Sequence, residues 1–452
     1  MSIFTDIRTA WNNLINMDLI VGSNRDRIQG YATNYNYYRG NQRPQLAARP
    51  GQADDNISLN FTGLIVNRAV TMLMGKSPRM VLPDDASQEY IDNVWDANQG
   101  DILLHILATN GALYGTPYLK IIENGMAYKG QVYPRLVALD PYLMTVETRP
   151  EDKARVNRYI MRFVITDLDG RETARREITE IQDNGTWIVI NERSNSATGG
   201  QWVEFSEPVV FPYEFPPILH WQNLPLTSSV YGKSDIEDVI ALQDRVNFTA
   251  SNISKIIRYH AHPKTWGRGA GKAEKQSWGA DDMVLYQGDN AMIQNLEMQS
   301  DLTSSREYML TLRQAMFDIT QTVDMTSMAD KIGSLTNFGL RVLFMDALAK
   351  LNTKHQLYGE AIEETNRRLN IMRANLDDGG MVEWDDPLPV NEAETAAADK
   401  FELDNGLVSK ETVSTRRGND WAQEQERLQA EQAAGDSLGA TLLRAFNQGT
   451  TE

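Results

Sequence analysis

Apolar positions at helical spacing are densest over 58–74 (SLNFTGLIVNRAVTMLM), where Leu59, Leu64, Val66, Ala69, Val70, Leu73 and Met74 spread around much of the circumference. That coverage predicts a helix buried on more than one side and stopped at Gly75. Before it, the first forty residues read as helix and then irregular chain, with Tyr31, Tyr35, Tyr37 and Tyr38 crowded ahead of Arg39-Gly40, and 43–53 as an extended crossing. Helices are expected at 86–97 and 100–113. YGTPYLKII and Val132–Thr148 then gain β-branched and aromatic residues. Tyr159–Thr166, Thr173–Ile181 and Trp187–Glu192 read as antiparallel strands separated by the turns Asp169-Gly170 and Asn184-Gly185. Trp202–Phe205 would be the last strand, before the proline-rich FPYEFPP at 211–217, where missing N–H donors interrupt pairing. The pattern is α+β, mainly helical, with a sheet inserted between helical parts.

Residues 234–258 begin with Ser234, carry Glu237 three positions later and continue at helical spacing, so a capped helix is expected. AHPKTWGRGAGKAEKQSWGADD then breaks the pattern, with Met283–Tyr286 and Met292–Leu296 as short strands, before a second helix at 303–322. Helix, excursion, helix describes a protruding hairpin with a decorated tip. A break at Asp324–Gly333 precedes the longest helical region, 334–372, apolar in its first half and amphipathic in its second. After Pro387 and Pro389 come an Ala- and Glu-rich segment, a short helical unit at LVSKETV and a polar stretch at 421–434, together a peripheral helical cap.

Length and charge narrow the reading. The 452 residues support two or three domains, and a net charge of −17 argues against a surface built to wrap nucleic acid tightly. Without cysteine there is no thiol nucleophile, disulfide or thiolate metal site. The opening residues lack the apolar run of a secretory signal, and no stretch approaches the 18 apolar residues of a membrane span, so the expectation is a soluble intracellular product with no membrane partner.

The search for chemistry is mostly negative. His260 and His262 sit two apart but have no carboxylate nearby to complete a metal set. Asp167-Leu168-Asp169-Gly170 opens like a calcium loop, yet Glu172 and Ile178 stand where glycine and glutamate are needed. GRGAGKAE at 267–274 fails as a phosphate loop, because Trp266 lies six residues before Lys272 and Ala273 replaces the hydroxyl residue. The acidic pairs Asp54/Asp55, Asp84/Asp85, Asp281/Asp282 and Asp385/Asp386 leave open a metal-dependent nuclease. One charge cluster stands out. Lys255, Arg258, Lys264, Arg268, Lys272 and Lys275 face only Glu274, with Trp266 and Trp278 close by, at the expected hairpin tip. Phosphate contact or docking to an acidic partner is one reading, and an ordinary solvated tip the other.

Five segments in consistent order carry a resemblance: YYRGNQ at 37–42, NISLNFTGLIVNRAVTMLMGKSP at 56–78, GALYGTPYLKI at 111–121, LPLTSSVYGKSDIEDVIALQDRVNFTASNI at 224–253 and PLPVNEAETAAADKFELDNGLVSKETV at 387–413. Together they resemble the portal proteins of long-tailed bacteriophages. The resemblance implies a phage portal fold of wing, stem, clip and crown in a closed homo-oligomeric ring, a dodecamer at one capsid vertex. It implies a channel for viral genome packaging, retention and ejection through the tail. The implied partners are the terminase large subunit, a head-completion or adaptor protein, major capsid and scaffolding proteins, and double-stranded DNA bound without sequence preference. The implied setting is the virion, with assembly in the host cytoplasm. No enzymatic activity or cofactor is implied.

On that pattern 1–233 is the first part of the wing with the inserted sheet, 234–259 and 303–322 are stem helices, 260–302 is the clip, 323–333 the tunnel-loop region, 334–386 the wing's long helix and 387–452 the crown. Asp324, Met325, Thr326, Ser327, Met328, Ala329, Asp330 and Lys331 are the tunnel-loop candidates by position, and Lys264, Trp266, Arg268, Lys272 and Lys275 the clip contacts. A head or neck adaptor protein is the structural alternative to a portal.

Overall fold

The computed structural model describes residues 23–46, 55–166, 169–194, 201–261, 264–268, 292–296, 302–325, 336–389 and 391–430. The chain forms two compact units, Met1–Met328 with Phe344–Pro387, and Ala329–Leu343 with Leu388–Glu452.

In the first unit, helix α1 (Ser23–Tyr38) ends in a turn at Gly40, and residues 55–60, in neither helix nor strand, lead into α2 (Phe61–Met74); most of the expected 43–53 crossing lies outside the described residues. Asn60 caps α2 by accepting a hydrogen bond from the Gly63 N–H at 3.0 Å. Ile65, Val66, Val70 and Leu73 are buried, on a helix covered on more than one side. Helices α3 (Asp85–Ala97) and α4 (Gly100–Tyr114) follow the short strand β1 (Arg79–Val81). Asp84 caps α3 through the Ser87 N–H. Strands β2 (Tyr118–Tyr128) and β3 (Gln131–Leu139) pair antiparallel, and β10 (Ile218–His220) joins on the other edge of β2.

The inserted sheet is larger than its four expected strands. Strands β4 (Met144–Thr148), β5 (Val156–Thr166), β6 (Glu172–Ile181), β7 (Trp187–Ser194) and β8 (Trp202–Glu204) run in sequence order, and β9 (Val209–Phe211) also pairs with β7. Gly170 and Gly185 both take positive φ in the hairpin turns. The proline-rich 211–217 segment is not wholly irregular. Phe211 pairs with Trp187, and Tyr213 stacks on Phe215 while Phe211 meets both rings at an angle, building a core with Tyr118, Met144, Tyr159 and Ile218.

Helix α5 (Ile240–Ala261) and α6 (Leu302–Ile319) pack along each other as the two arms of the hairpin. Between them, β11 (Lys264–Arg268) pairs antiparallel with β12 (Met292–Leu296), so a stretch expected to be irregular supplies a strand. The Met283–Tyr286 strand expectation lies outside the described residues. The 334–372 region departs from expectation as well. It is two helices, α7 (Asn337–Leu343) and α8 (Met345–Ala374), separated at Phe344, and they belong to different units. The larger unit takes α8, whose Leu351, Tyr358, Ile362 and Leu369 are buried, and closes with β13 (Met381–Glu383) paired to β1.

The second unit is helical: α7, α9 (Glu392–Asp404), α10 (Lys410–Arg416) and a further helix over 421–430. Asn391 caps α9 with its side chain while its own N–H donates to Asn337 Oδ1 at 2.9 Å, and Glu394 accepts from the Asn337 N–H. Asp399, almost fully buried, is held by Arg416 and Arg417. Among the described residues of this unit the buried apolar side chains are Leu388 and Val413, and the Asp399 ion pairs add to that small core.

Candidate functional site: the base of the helical hairpin

Both feet of the hairpin reach α8, and one carboxylate sits between them. Asp235 lies just before α5, and its oxygens face Lys350 Nζ at 2.7 Å and Lys354 Nζ at 2.5 Å, with the carboxylate completely buried. Lys350 also donates to the carbonyl of Thr320 at 2.9 Å, one of the carbonyls left open at the end of α6. A single lysine thus ties the start of one arm to the finish of the other. Burial alone would push the Asp235 carboxyl up, but the two ammonium groups reverse this and hold it down at about 2. Burial pulls Lys354 below its ordinary value, with Asp235 opposing the shift.

The expected Ser234–Glu237 capping box is half formed. Glu237 accepts from the Ser234 N–H at 3.3 Å, but the Ser234 hydroxyl donates to the carbonyl of Ala112 and accepts from the Ile236 N–H. Its tertiary partner wins, and a 3-10 turn at Glu237–Val239 precedes α5.

Along α5 a polar stripe at four-residue spacing faces inward. Gln243 Oε1 accepts from the N–H groups of Phe61 (3.1 Å) and Thr62 (3.3 Å), and Gln243 Nε2 donates to the Leu59 carbonyl at 2.6 Å. Asn247 Oδ1 accepts from Leu59 N–H at 2.9 Å and Ser251 Oγ from Ile57 N–H at 2.9 Å. These side chains complete the backbone hydrogen bonds of the chain entering α2. Tyr37 donates to Asp244 at 2.6 Å on the adjoining side, and Arg258 pairs with Asp55 at 2.6 Å further along the same arm. Replacing Gln243 with leucine should leave several of these groups unpaired, at about 1–3 kcal/mol for each that stays buried. Hydrogen exchange of the 57–62 amides checks this: faster exchange there, with the inserted sheet unchanged, is the expected result.

The exit from α6 is equally anchored. Gln321 adopts positive φ, with Thr322 N–H returning to Phe317 O (2.9 Å) and Gln321 N–H to Asp318 O (3.1 Å), the double bond of a left-handed helix stop. Arg68 Nη1 donates to Val323 O at 2.8 Å, and Arg313 Nη2 to Asp324 Oδ1 at 2.8 Å. Both guanidinium groups lie over the Phe317 ring, which meets Phe61 edge-on at 6.2 Å.

A family model described as phage portal protein, SPP1 Gp6-like, matches residues 19–437. The chain belongs to this portal family. Comparison with individually curated proteins gives no match.

In this portal protein the first four motif segments meet in space. YYRGNQ and NISLNF join along α5, while GALYGTPYL packs on VYGKSD: Ala112 O accepts from Asp235 N–H at 2.9 Å, and Gly232 N–H donates to Thr116 Oγ1 at 3.0 Å. Of the tunnel-loop candidates only Asp324 and Met325 fall among the described residues, and the structure gives Asp324 a partner in Arg313. Thr326, Ser327, Met328, Ala329, Asp330 and Lys331 lie outside them. Of the clip candidates, Lys264, Trp266 and Arg268 occupy alternate positions of β11, opposite Leu296, Gln294 and Met292, while Lys272 and Lys275 lie outside.

Three of the described members of the acidic pairs have structural partners. Asp84 is a helix cap, Asp55 pairs with Arg258, and Asp385 faces Lys76 at 3.9 Å. Among the described residues no three of His, Asp and Glu converge as a metal-binding group, and no helix is long and apolar enough to cross a membrane. His220 is a core residue, stacked on Tyr118 and bonded to Tyr159 Oη at 2.9 Å, its pKa pushed down to about 4 by burial and then by Arg368. His355 lies flat on Trp384. Asp235, Gln243, Asn247, Arg313, Lys350 and Lys354 escaped the sequence reading. Their one signal is polar side chains four residues apart on apolar helices, which also describes a solvated face.

Proposed function

We propose that this chain is the subunit of a closed portal ring at one capsid vertex, through which a separate ATPase motor packages double-stranded DNA and from which the genome later leaves through the tail. The observation that carries the reading is the family match across 19–437. The hairpin base supports it, since arms that line a channel must keep their spacing while DNA passes. Residues 1–233 and 334–386 are proposed as wing, 234–259 and 303–322 as stem, 260–302 as clip, 323–333 as tunnel loop and 387–452 as crown. A ring closed by head-to-tail contacts needs two different complementary faces on each subunit.

The proposed channel chemistry is weak contact. Neutralising several phosphates creates substantial affinity, so a passage for sliding duplex keeps cations few, in keeping with a net charge of −17. Asp324, paired with Arg313, anchors the loop in this reading, leaving Thr326–Lys331 to approach the DNA. Terminase and an adaptor are the proposed partners at the clip.

Native mass combined with top-view electron microscopy of the purified protein tests the assignment. The expected particle is a closed ring of about twelve 51.0 kDa subunits with a central hole wide enough for duplex DNA. A concentration-independent monomer would sink the channel mechanism.

A further inference from the structure

One patch of the inserted sheet is basic without internal balance. On the face that carries Tyr159 and Trp187 into the core, the strand register sets Phe163 opposite Arg175, Arg175 opposite Arg193, and Arg193 opposite Val203. Like charges directly opposite one another destabilise a sheet, and this row holds no acidic residue. The other face is arranged differently: Arg162 stands opposite Arg176, and Arg176 pairs with Glu192. On the basic face the carboxylate two residues along β6 is already engaged, since both oxygens of Glu177 accept from Lys120 Nζ at 2.6 Å. Around the two arginines the surface is apolar. Arg175 lies 4.8 Å from the centre of the Phe205 ring, Val203 and Phe205 are 56 % and 39 % exposed, and Arg193 is exposed beside them.

The same unit carries a surface of opposite sign. Asp92 and Asp96 on α3 and Asp101 on α4, all exposed, line a cleft of about 800 Å³ together with Val81 of β1. Gln88 donates to Asp92 at 2.9 Å and Ser77 to Asp101 at 2.6 Å, both neutral donors, whereas Glu383 in the cleft is neutralised by Arg79. Within one chain the two surfaces do not meet. Alternate residues of β2 serve different neighbours: Leu119 and Ile121 share a core with Ile91 and Val94 of α3, while Lys120 reaches Glu177 of the inserted sheet. Successive side chains of a strand point to opposite faces, so β2 and the strands paired with it stand between the acidic cleft and the basic patch.

We propose that Arg175 and Arg193 of one subunit dock into the cleft of Asp92, Asp96 and Asp101 on the next, the partner being a second copy of this chain. Charge of opposite sign, apolar flanks on both surfaces (Val203 and Phe205 against Val81) and placement on opposite sides of the β2 sheet supply the two different faces of a head-to-tail contact. This docking rests on the proposed ring and names the surfaces that close it.

Sedimentation of the full chain over a range of protein and salt concentrations tests it. Wild-type rings should come apart at higher protein concentration as salt is raised. Arg175→Glu/Arg193→Glu and Asp92→Arg/Asp96→Arg should each move half-assembly to about a hundredfold higher concentration. Mixed in equal amounts, the two variants form one contact of wild-type sign and one of reversed sign, so alternating rings should return. Should either variant fail to fold, Arg193→Lys treated with a zero-length carbodiimide decides, because position 193 should join Asp92, Asp96 or Asp101 of another subunit. A wild-type chain that stays monomeric overturns the ring reading and this docking together. Wild-type rings overturn the docking alone if the charge variants assemble as wild type does, if their mixture stays dissociated, or if the cross-link is absent.

Discussion

Asp235→Asn should be the most damaging single exchange at the hairpin base, lowering stability by about 3–5 kcal/mol. The carboxylate is the shared counter-charge of Lys350 and Lys354, whose side chains are only 9 % and 3 % exposed, and its loss leaves two ammonium groups in the core. Lys354→Met should cost less, because Lys350 still neutralises Asp235. The triple variant Asp235→Leu/Lys350→Met/Lys354→Met should recover part of the loss, as apolar replacement of a whole buried triad often does. Thermal unfolding monitored by tryptophan fluorescence ranks the three. If Asp235→Asn proved no worse than Lys354→Met, the carboxylate would not be the centre of the cluster.

The pH dependence has a definite sign. With the folded pKa of Asp235 held at about 2, below the roughly 3.9 of an unfolded aspartate, its contribution is complete above that unfolded value and is lost as pH falls through the folded one. Wild type and Asp235→Asn should therefore converge between about pH 4 and pH 2, and run parallel at neutral pH.

Gly115→Ala is expected to have the second largest effect. Gly115 ends α4 at φ +78°, in the left-handed region, and a Cβ there would sit 2.2 Å from the carbonyl oxygen of Gly232. Gly232 is constrained in return, since its Cβ would lie 2.4 Å from Gly115 O. The left-handed penalty is about 1–2 kcal/mol, and separating two packed backbones adds about 1–3 kcal/mol more. Because the contact immediately precedes Ser234 and Asp235, the displacement should reach the hairpin base. Faster hydrogen exchange at 232–243 should accompany the lower unfolding midpoint. Unaltered exchange there would show that the glycine contact and the hairpin foot are independent.

Much of the fold was legible because local rules act within short windows. The change from helical spacing to β-rich segments near Tyr118, the glycine turns at 170 and 185, and the long helix before the tip each depend on residues a few positions apart. Motif order carried the family as well, through segments of which the first four prove to be packing junctions. The candidate site was less visible. Lys350 and Lys354 sit at the end of an apolar run and at the start of an amphipathic one, where a solvated face reads the same way. Asp324 is a tunnel-loop candidate by position alone, and position in the chain says nothing of its pairing with Arg313, eleven residues earlier and one helical stop away.

Sequence by itself determined the element types, the hairpin and the portal family, because side-chain periodicity, turn chemistry and motif order are properties of neighbouring residues. Tertiary structure alone decided which polar side chains are internal. It placed Asp235 between two lysines more than a hundred residues away and set Gln243 against the start of α2. It also split the 334–372 region at Phe344 between two units. The reason is physical: whether a charge or an amide stabilises the fold depends on its desolvation and on the partner that meets it, and both are fixed only when distant segments close around it.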